Sequence, residues 1–398
     1  MPKSIKVIAW ARSIRWVGWG FGESLIPIFI FAFSSTFAEA GLFRSTYEIV
    51  ALISLPLIGI WADRKSAKYL ILLSLLLYPI VGIGYLLAGL SSLVIFLVIA
   101  RAVNGVTWSL ENIGIETYYR RMARQDSICA SFGYIDTWSY FAWIVAALIG
   151  MALVPFVPVY YLLAAIIPAD IVAYFIARRA PRDRVNVVDA ATAVIPKPIS
   201  RKPMFETYAQ ALSEWRTWNT HLWLLGALVL FTGLINALMW FYIPIDAYIS
   251  GANLQLVVLI SVIGAVPSLF GYALGKFADA RNKYMILSGG LLFVALVALG
   301  LAVFPQYAFK LVASFVLGII LELFVIVRND LVTVLGPSET YGQRGSAFES
   351  LVTLGDLVAP LILGIGLDVL GFSNISFIIA GVALVLGIAY RLTKTKKS

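Results

Sequence analysis

One cysteine (Cys129) and one histidine (His221) in 398 residues leave little material for redox or metal chemistry. A single thiol excludes a disulfide within the chain. A zinc, haem or iron–sulfur centre built from these two residue types lacks its ligands, so no cofactor is expected. Metal binding by carboxylates alone stays open. Charge is scarce as well: 13% of residues are Asp, Glu, Lys or Arg, against 61% hydrophobic. Soluble domains carry about a quarter charged residues, so this composition excludes a water-soluble fold. No nucleophile–base–metal constellation is visible, and an enzyme is not expected.

Apolar runs recur along the chain, each near the ~20 residues that span a bilayer. They read as helices over about 5–33, 45–62, 69–89, 93–119, 128–153, 157–177, 220–249, 253–275, 284–304, 308–335, 345–369 and 373–390. With a cytoplasmic amino terminus, the outer connections hold only Arg44 and Lys310. Apart from Arg101, which lies within a span, the other basic residues fall at cytoplasmic ends and loops, as in "YRRMARQD", "ARRAPRDR" and "RLTKTKKS". That asymmetry is the positive-inside pattern. It assigns the net charge of +9 to lipid headgroups rather than to nucleic acid and puts both termini in the cytoplasm. The Ala-x-Ala at Ala38–Ala40 follows a segment too long for a signal peptide and carrying Glu23, so the first helix is read as retained.

The connection after Ala180 separates six helices from six. We read residues 1–179 and 219–398 as two helical bundles and 180–218 as a cytoplasmic linker. Met204, Phe205, Tyr208, Leu212 and Trp215 recur within it at the spacing of a surface-lying amphipathic helix. The halves share a phrase. "GIWADRKSAKY" from Gly59 reappears as "GKFADARNKY" from Gly275, with Asp63 on Asp279 and Lys65 on Arg281. One deletion brings Lys68-Tyr69 onto Lys283-Tyr284. The expected fold is an all-α membrane protein of twelve transmembrane helices in two pseudo-symmetric bundles, a parallel repeat with its site between the halves.

The first copy (Gly59, Asp63, Arg64, Lys68) resembles the loop signature Gly-x-x-x-Asp-Arg-x-x-Arg/Lys of the major facilitator superfamily. The second (Gly275, Asp279, Arg281, Lys283) is similar to that family's degenerate repeat. Gly59 and Gly275 would admit a neighbouring helix closely. Asp63 would face a helix amino end of the other half, and Arg64 a carboxylate there, forming a latch made in one state and broken in the other. Plain positive-inside charges in a tight turn are the alternative. "ARAVNG" is similar to the Arg-x-x-x-Gly signature of proton-coupled members, which implies that Arg101 sits beside a proton site. The fifth span, "FAWIVAALIGMALVP", lacks the Gly-Pro pattern usual in drug–proton antiporters. The resemblance also implies a monomer.

A charge at the bilayer centre costs about 3 kcal/mol on insertion scales, so intramembrane acids must face protein or water. Glu23, Glu111, Asp136, Glu322, Glu349 and Asp356 lie within spans. Arg12, Trp16, Trp19 and Glu23 share an arc of about 60°, slightly widened by Arg15. Arg101, Asn104, Trp108, Glu111 and Asn112 share about 100°, with Arg101 and Glu111 about 15 Å apart and unable to pair. The family resemblance implies that the first, fourth, seventh and tenth helices line a cavity, bringing Glu23, the fourth-helix stripe, Asn236 and Glu322 together. Asp136 and Asp356 fit substrate contact and plain helix–helix bonding equally. Glu349 and Glu116 lie near the cytoplasmic ends and are expected to serve the latch or meet water; Asp170 and Asp246 lie near span ends, where solvation is expected.

A carboxylate withdrawn from water binds a proton more readily, and re-exposure releases it. We therefore expect a secondary transporter of the cell membrane, with Glu23 as proton carrier and Arg101 and Glu111 tuning or supporting it. Acids and tryptophans suit amphipathic or cationic compounds, so proton-coupled export is the first reading. Proton-coupled import of a small organic solute and carboxylate-based transport of a divalent metal ion are alternatives.

Overall fold

The structure is a computed structural model that describes residues 3–64, 66–122, 128–183, 220–334 and 341–392. The expected amphipathic helix at 204–215 lies outside them. Among the described residues all regular structure is helical and groups into twelve segments; eight helices, one of them a merged pair, are long and apolar enough to cross a membrane. α1 runs Lys3–Gly20, tightens into a 3₁₀ turn at Glu23–Leu25 and resumes at Ile26–Phe31. α2 is Phe37–Arg64, α3 Ala67–Ser91, α4 Val94–Met122 and α5 Ile128–Leu153. α6 joins Val159–Leu163 to Ile166–Arg178. α7 joins Thr220–Ala237 through a π turn, Leu238–Tyr242, to Ile243–Ile249. α8 joins Leu254–Ala265 through a 3₁₀ turn, Val266–Phe270, to Gly271–Asp279. α9 is Lys283–Val303 and α10 Tyr307–Val334. The last helical stretch folds at Gly371, whose φ of 78° breaks it into α11 (341–370) and α12 (372–392).

The interruptions in α1, α7 and α8 each stand beside a proline, at Pro27, Pro244 and Pro267. The missing N–H frees a carbonyl, which neighbouring helices can satisfy only where the backbone is covered by protein. These three segments accordingly lie against other helices rather than lipid.

Packing follows the internal repeat. α1 lies on α5 and α6, α2 on α4, and α3 on α4 and α6. In the second six, α7 lies on α11, α8 on α10, and α9 on α10 and α12. The two sets touch chiefly through α2 against α11 and α5 against α8, which exchange under the repeat.

Two differences from the sequence expectation concern charge. α2 begins at Phe37 rather than near residue 45, so Arg44 stands inside a helix. Lys310 likewise sits on α10, only 2% exposed, and its Nζ meets Asp246 Oδ2 at 2.6 Å. Asp246 is thus an ion-pair partner and not merely a solvated end. The start of the linker is also anchored. Asp183 accepts the Ser66 hydroxyl and the backbone N–H groups of Ala67 (2.9 Å) and Lys68 (3.2 Å), capping α3.

The halves are in tight contact at one membrane face. We call the face holding Lys3 and Arg391 proximal and its opposite distal. At the distal face a Cβ on Gly41 would lie 2.5 Å from Pro360 O, and one on Gly364 2.6 Å from Phe37 O. Only glycine permits that contact of α2 with α11. Phe37 and Ala38 donate their backbone N–H groups to Asp368 at 2.9 and 2.8 Å, so a carboxylate from the second half caps α2. Ser45 donates to Leu357 O at 2.9 Å. Eighteen residues past Gly41, about 27 Å along the helix, Gly59 has, among the described residues, nothing within 4 Å of its Cβ position, and the same holds for Gly275. Lys68 turns inward to the Arg178 (2.7 Å) and Ala180 carbonyls of its own half. Arg281 is exposed and lies 5.9 Å from the Phe277 ring. The side chains of Asp63, Arg64 and Asp279 are outside the described set.

An N-cap carboxylate contributes about 1 kcal/mol. Asp368→Ala should therefore raise the distally open population about fivefold. The measurement is the rate at which an impermeant thiol reagent labels a Ser45→Cys reporter in a Cys129→Ser background. An unchanged rate would remove Asp368 from the distal closure.

Candidate functional site

α1 places Arg12 and Arg15 on the face that meets α4, α5 and α6. Glu111 of α4 receives Arg15 Nη1 at 3.1 Å, the Tyr78 hydroxyl at 2.8 Å and Arg12 Nε at 3.9 Å. Arg12 Nη1 reaches Asp136 Oδ1 of α5 at 3.0 Å. Arg15 Nε stands 3.9 Å from Asp170 Oδ1 of α6. The Arg15 guanidinium lies 4.1 Å from the Tyr78 ring centre and 5.5 Å from that of Trp19. Asp136 is the wet end of the cluster, with its side chain 46% exposed, whereas Arg15, Glu111 and Asp170 are 8%, 5% and 0% exposed. Solvation of Asp170 was expected from its place near a span end. The structure overturns this because α1 and α3 cover that turn of α6.

A second cluster sits between α2 and α4. Arg44 Nη1 and Glu48 Oε1 are 2.6 Å apart, with Glu48 2% exposed. Arg101 is buried nearby. Its Nη2 donates to the Arg44 carbonyl at 3.0 Å, its Nη1 lies 3.4 Å from the Tyr85 hydroxyl, and Tyr47 offers its ring at 4.9 Å. Arg101 is held by a carbonyl, a hydroxyl and an aromatic face rather than by a carboxylate. Arg101 and Glu111 have separate partners, as their spacing requires. Half-buried Trp108 packs edge-on against Tyr47, Asn104 is buried and Asn112 half-buried.

Where the halves meet, Glu23 occupies the 3₁₀ turn of α1 and accepts the Trp143 indole N–H at 2.6 Å. Trp143, 3% exposed on α5, meets Trp240 of α7 edge-on at 6.2 Å. Asp356 of α11 receives Asn236 Nδ2 at 3.4 Å, and the charge of Arg44 reaches it across the interface. Glu322 receives the Ser268 hydroxyl at 3.0 Å, in the 3₁₀ turn of α8. Trp19 is packed between Arg15 and Tyr78. The residues expected to converge are therefore distributed over distinct contacts: Glu23 on Trp143, Asn236 on Asp356, Glu322 on Ser268, and the fourth-helix stripe over two clusters. Tyr78, Trp143, Ser268 and Glu48 carry much of this geometry and were not singled out from sequence. An aromatic or serine inside an apolar run is unremarkable until its partner is known. Among the described residues no three His, Cys, Asp or Glu side chains converge as a metal site.

The Major Facilitator Superfamily model matches residues 9–355. The chain belongs to this superfamily. No curated protein matches it by sequence. Among solved structures, it is similar to the nucleoside transporter NupG (16% identity, TM-score 0.72, 98% of each chain covered). It is also similar to a D-xylose-proton symporter (13%, TM-score 0.73, 97% of this chain and 96% of that one). The human organic anion transporter MFSD10 (TETRAN) matches at 13% identity and TM-score 0.68, over 98% of this chain and 100% of the other. At these identities the likeness shows the fold alone. This superfamily member is a multi-pass membrane protein and a secondary transporter of small molecules, not an enzyme.

Removing one partner of a buried ion pair costs about 3–5 kcal/mol, because the remaining charge is left uncompensated. Arg15→Ala should lower the thermal unfolding midpoint of the detergent-solubilised protein accordingly. Adding Glu111→Leu should restore much of the loss. Equal midpoints for wild type and Arg15→Ala would exclude a structural role for this pair.

Proposed function

We propose that this transporter couples proton movement to the export of small amphipathic or cationic compounds, with Glu23 as the principal proton carrier. It works by alternating access in the cell membrane, with the proximal face and both termini in the cytoplasm. The observation that carries this reading is the position of Glu23. It is an acidic side chain at the break in α1, tied to Trp143, whose ring meets Trp240 of the other half.

Any rocking of one half on the other changes what surrounds Glu23. With the distal face closed, the carboxylate is held by the Trp143 indole and felt by the charges of Arg15, Arg44 and Arg101. The role of Arg101 is thus exerted through space, since it does not touch Glu23. Parting of α5 from α7 exposes Glu23 to the distal compartment and changes its proton affinity, since ionisation is favoured in water. A cationic substrate competing with the proton for this carboxylate gives antiport. Trp240 and Trp108, both half-buried, are placed to stack on an organic cation, whereas the faces of Trp19 are already occupied. Asn236, Asp356 and Glu322 supply polar contacts from the second half. The repeated phrase (Gly59, Asp63, Arg64, Lys68; Gly275, Asp279, Arg281) closes the proximal face in the opposite state.

In proteoliposomes with an imposed pH gradient, Glu23→Gln should abolish proton-driven transport while leaving substrate exchange without a gradient. Retained gradient-driven transport would remove Glu23 from the role. Drug-like cations should move against the proton gradient; accumulation along it would establish import by symport instead.

A further inference from the structure

The buried cluster around α1 does not balance. It holds three carboxylates, Glu111, Asp136 and Asp170, against two guanidiniums, Arg12 and Arg15. Arg12 is committed to Asp136 at 3.0 Å. Arg15 alone remains for two acids, and it has chosen Glu111 at 3.1 Å. Asp170 is without a protein donor: its side chain is 0% exposed and neither oxygen has a hydrogen-bond partner. Around it stand Arg15 of α1, Tyr78 of α3 and Glu111 of α4, with Glu23 and Arg12 further along α1 and Asp136 on α5. The Tyr78 hydroxyl is spent on Glu111. An ionised carboxylate without a donor in a medium of low dielectric is costly, whereas its protonated form carries no charge to compensate.

We propose that Asp170 is a proton-binding site, neutral in this conformation, as one of two acids that share Arg15. The second member of the arrangement is already in place. Arg15 Nε has no acceptor, and it stands 3.9 Å from Asp170 Oδ1. A relative displacement of α1 and α6 of about 1 Å brings that pair into hydrogen-bond range. Arg15 then compensates an ionised Asp170, and the proton leaves it. Glu111, released by Arg15, takes up that proton and keeps the Tyr78 hydroxyl. The proton thereby passes between the two acids with the position of α1, the helix that also carries Glu23. This site is distinct from the one given to Glu23, whose carboxylate is held by the Trp143 indole.

The test is infrared difference spectroscopy of the full-length protein across a titration from neutral to alkaline pH. A protonated buried carboxylic acid gives a C=O stretch that an ionised carboxylate lacks. Wild type should show such a band at neutral pH and lose it on alkalinisation. Asp170→Asn should lack it while keeping the wild-type melting temperature, since Asn is a neutral isostere of the protonated acid. Glu23→Gln should retain the band, so failure of the Glu23 reading leaves this one standing and the reverse. If Asp170→Asn does not fold, Asp170→Ser serves for the same comparison. A wild type without the band, or one whose spectrum superimposes on that of either Asp170 variant, overturns the proposal. So does an Asp170→Asn protein destabilised as strongly as Arg15→Ala, because that is the behaviour of an ionised partner.

Discussion

The guanidinium of Arg15 is the centre on which the first half of this molecule is built. A bilayer offers no water to a buried ion, so each charge carried into it must find its opposite or give up its proton. Arg15 answers Glu111 and faces Asp170, its plane lies over Tyr78, and Trp19 closes the remaining side. Four helices, α1, α3, α4 and α6, thereby contribute to one electrostatic unit. Packing among lipid-like side chains has little orientational preference; charge and hydrogen bonds supply the register that apolar contact does not. The Arg44–Glu48 pair and the Arg101 contacts do the same between α2 and α4.

The second half is held differently. Its described interior has fewer charges, and its irregular turns at Leu238–Tyr242 and Val266–Phe270 place polar groups locally. Ser268 reaches Glu322 from one such turn, and Tyr242 donates from the other to the Pro360 carbonyl. A rigid, ion-paired bundle facing one with prolines and broken turns is an asymmetric pair, although their helix contacts correspond one to one.

Between them, closure is tightest at Gly41 of α2, where the backbones are in contact. The distal seal combines close glycine packing with Asp368 capping a helix it does not belong to. Such contacts are short-ranged and directional, so they are lost together when the faces separate. The buried clusters lie within the first half and survive that separation. Glu23 is the exception: the tryptophan it binds is in its own half, and the next one, Trp240, is not.

Much of this could be read from the residue string. Runs of apolar residues near bilayer length, basic residues segregated to alternate connections and the duplicated Gly-x-x-Ala-Asp phrase determined the number of crossings, the two-fold repeat and the family. They did so because membrane thickness and charge transfer constrain a sequence locally. The same string marked Glu23, Arg101 and Glu111 as embedded ions, since the cost of burying charge depends on residue type and depth. It could not say which charge meets which. Asp170 looked solvated because nearness to a span end is a one-dimensional property, while its burial is produced by α1 and α3 crossing over it. The start of α2 was misplaced because Arg44 and Glu48 are polar in isolation and neutralise each other only once helical. Partnership between residues over a hundred positions apart, Arg12 with Asp136, Glu23 with Trp143 and Phe37 with Asp368, is decided by helix packing, because hydrogen bonds and ion pairs act over a few ångströms and are blind to distance along the chain.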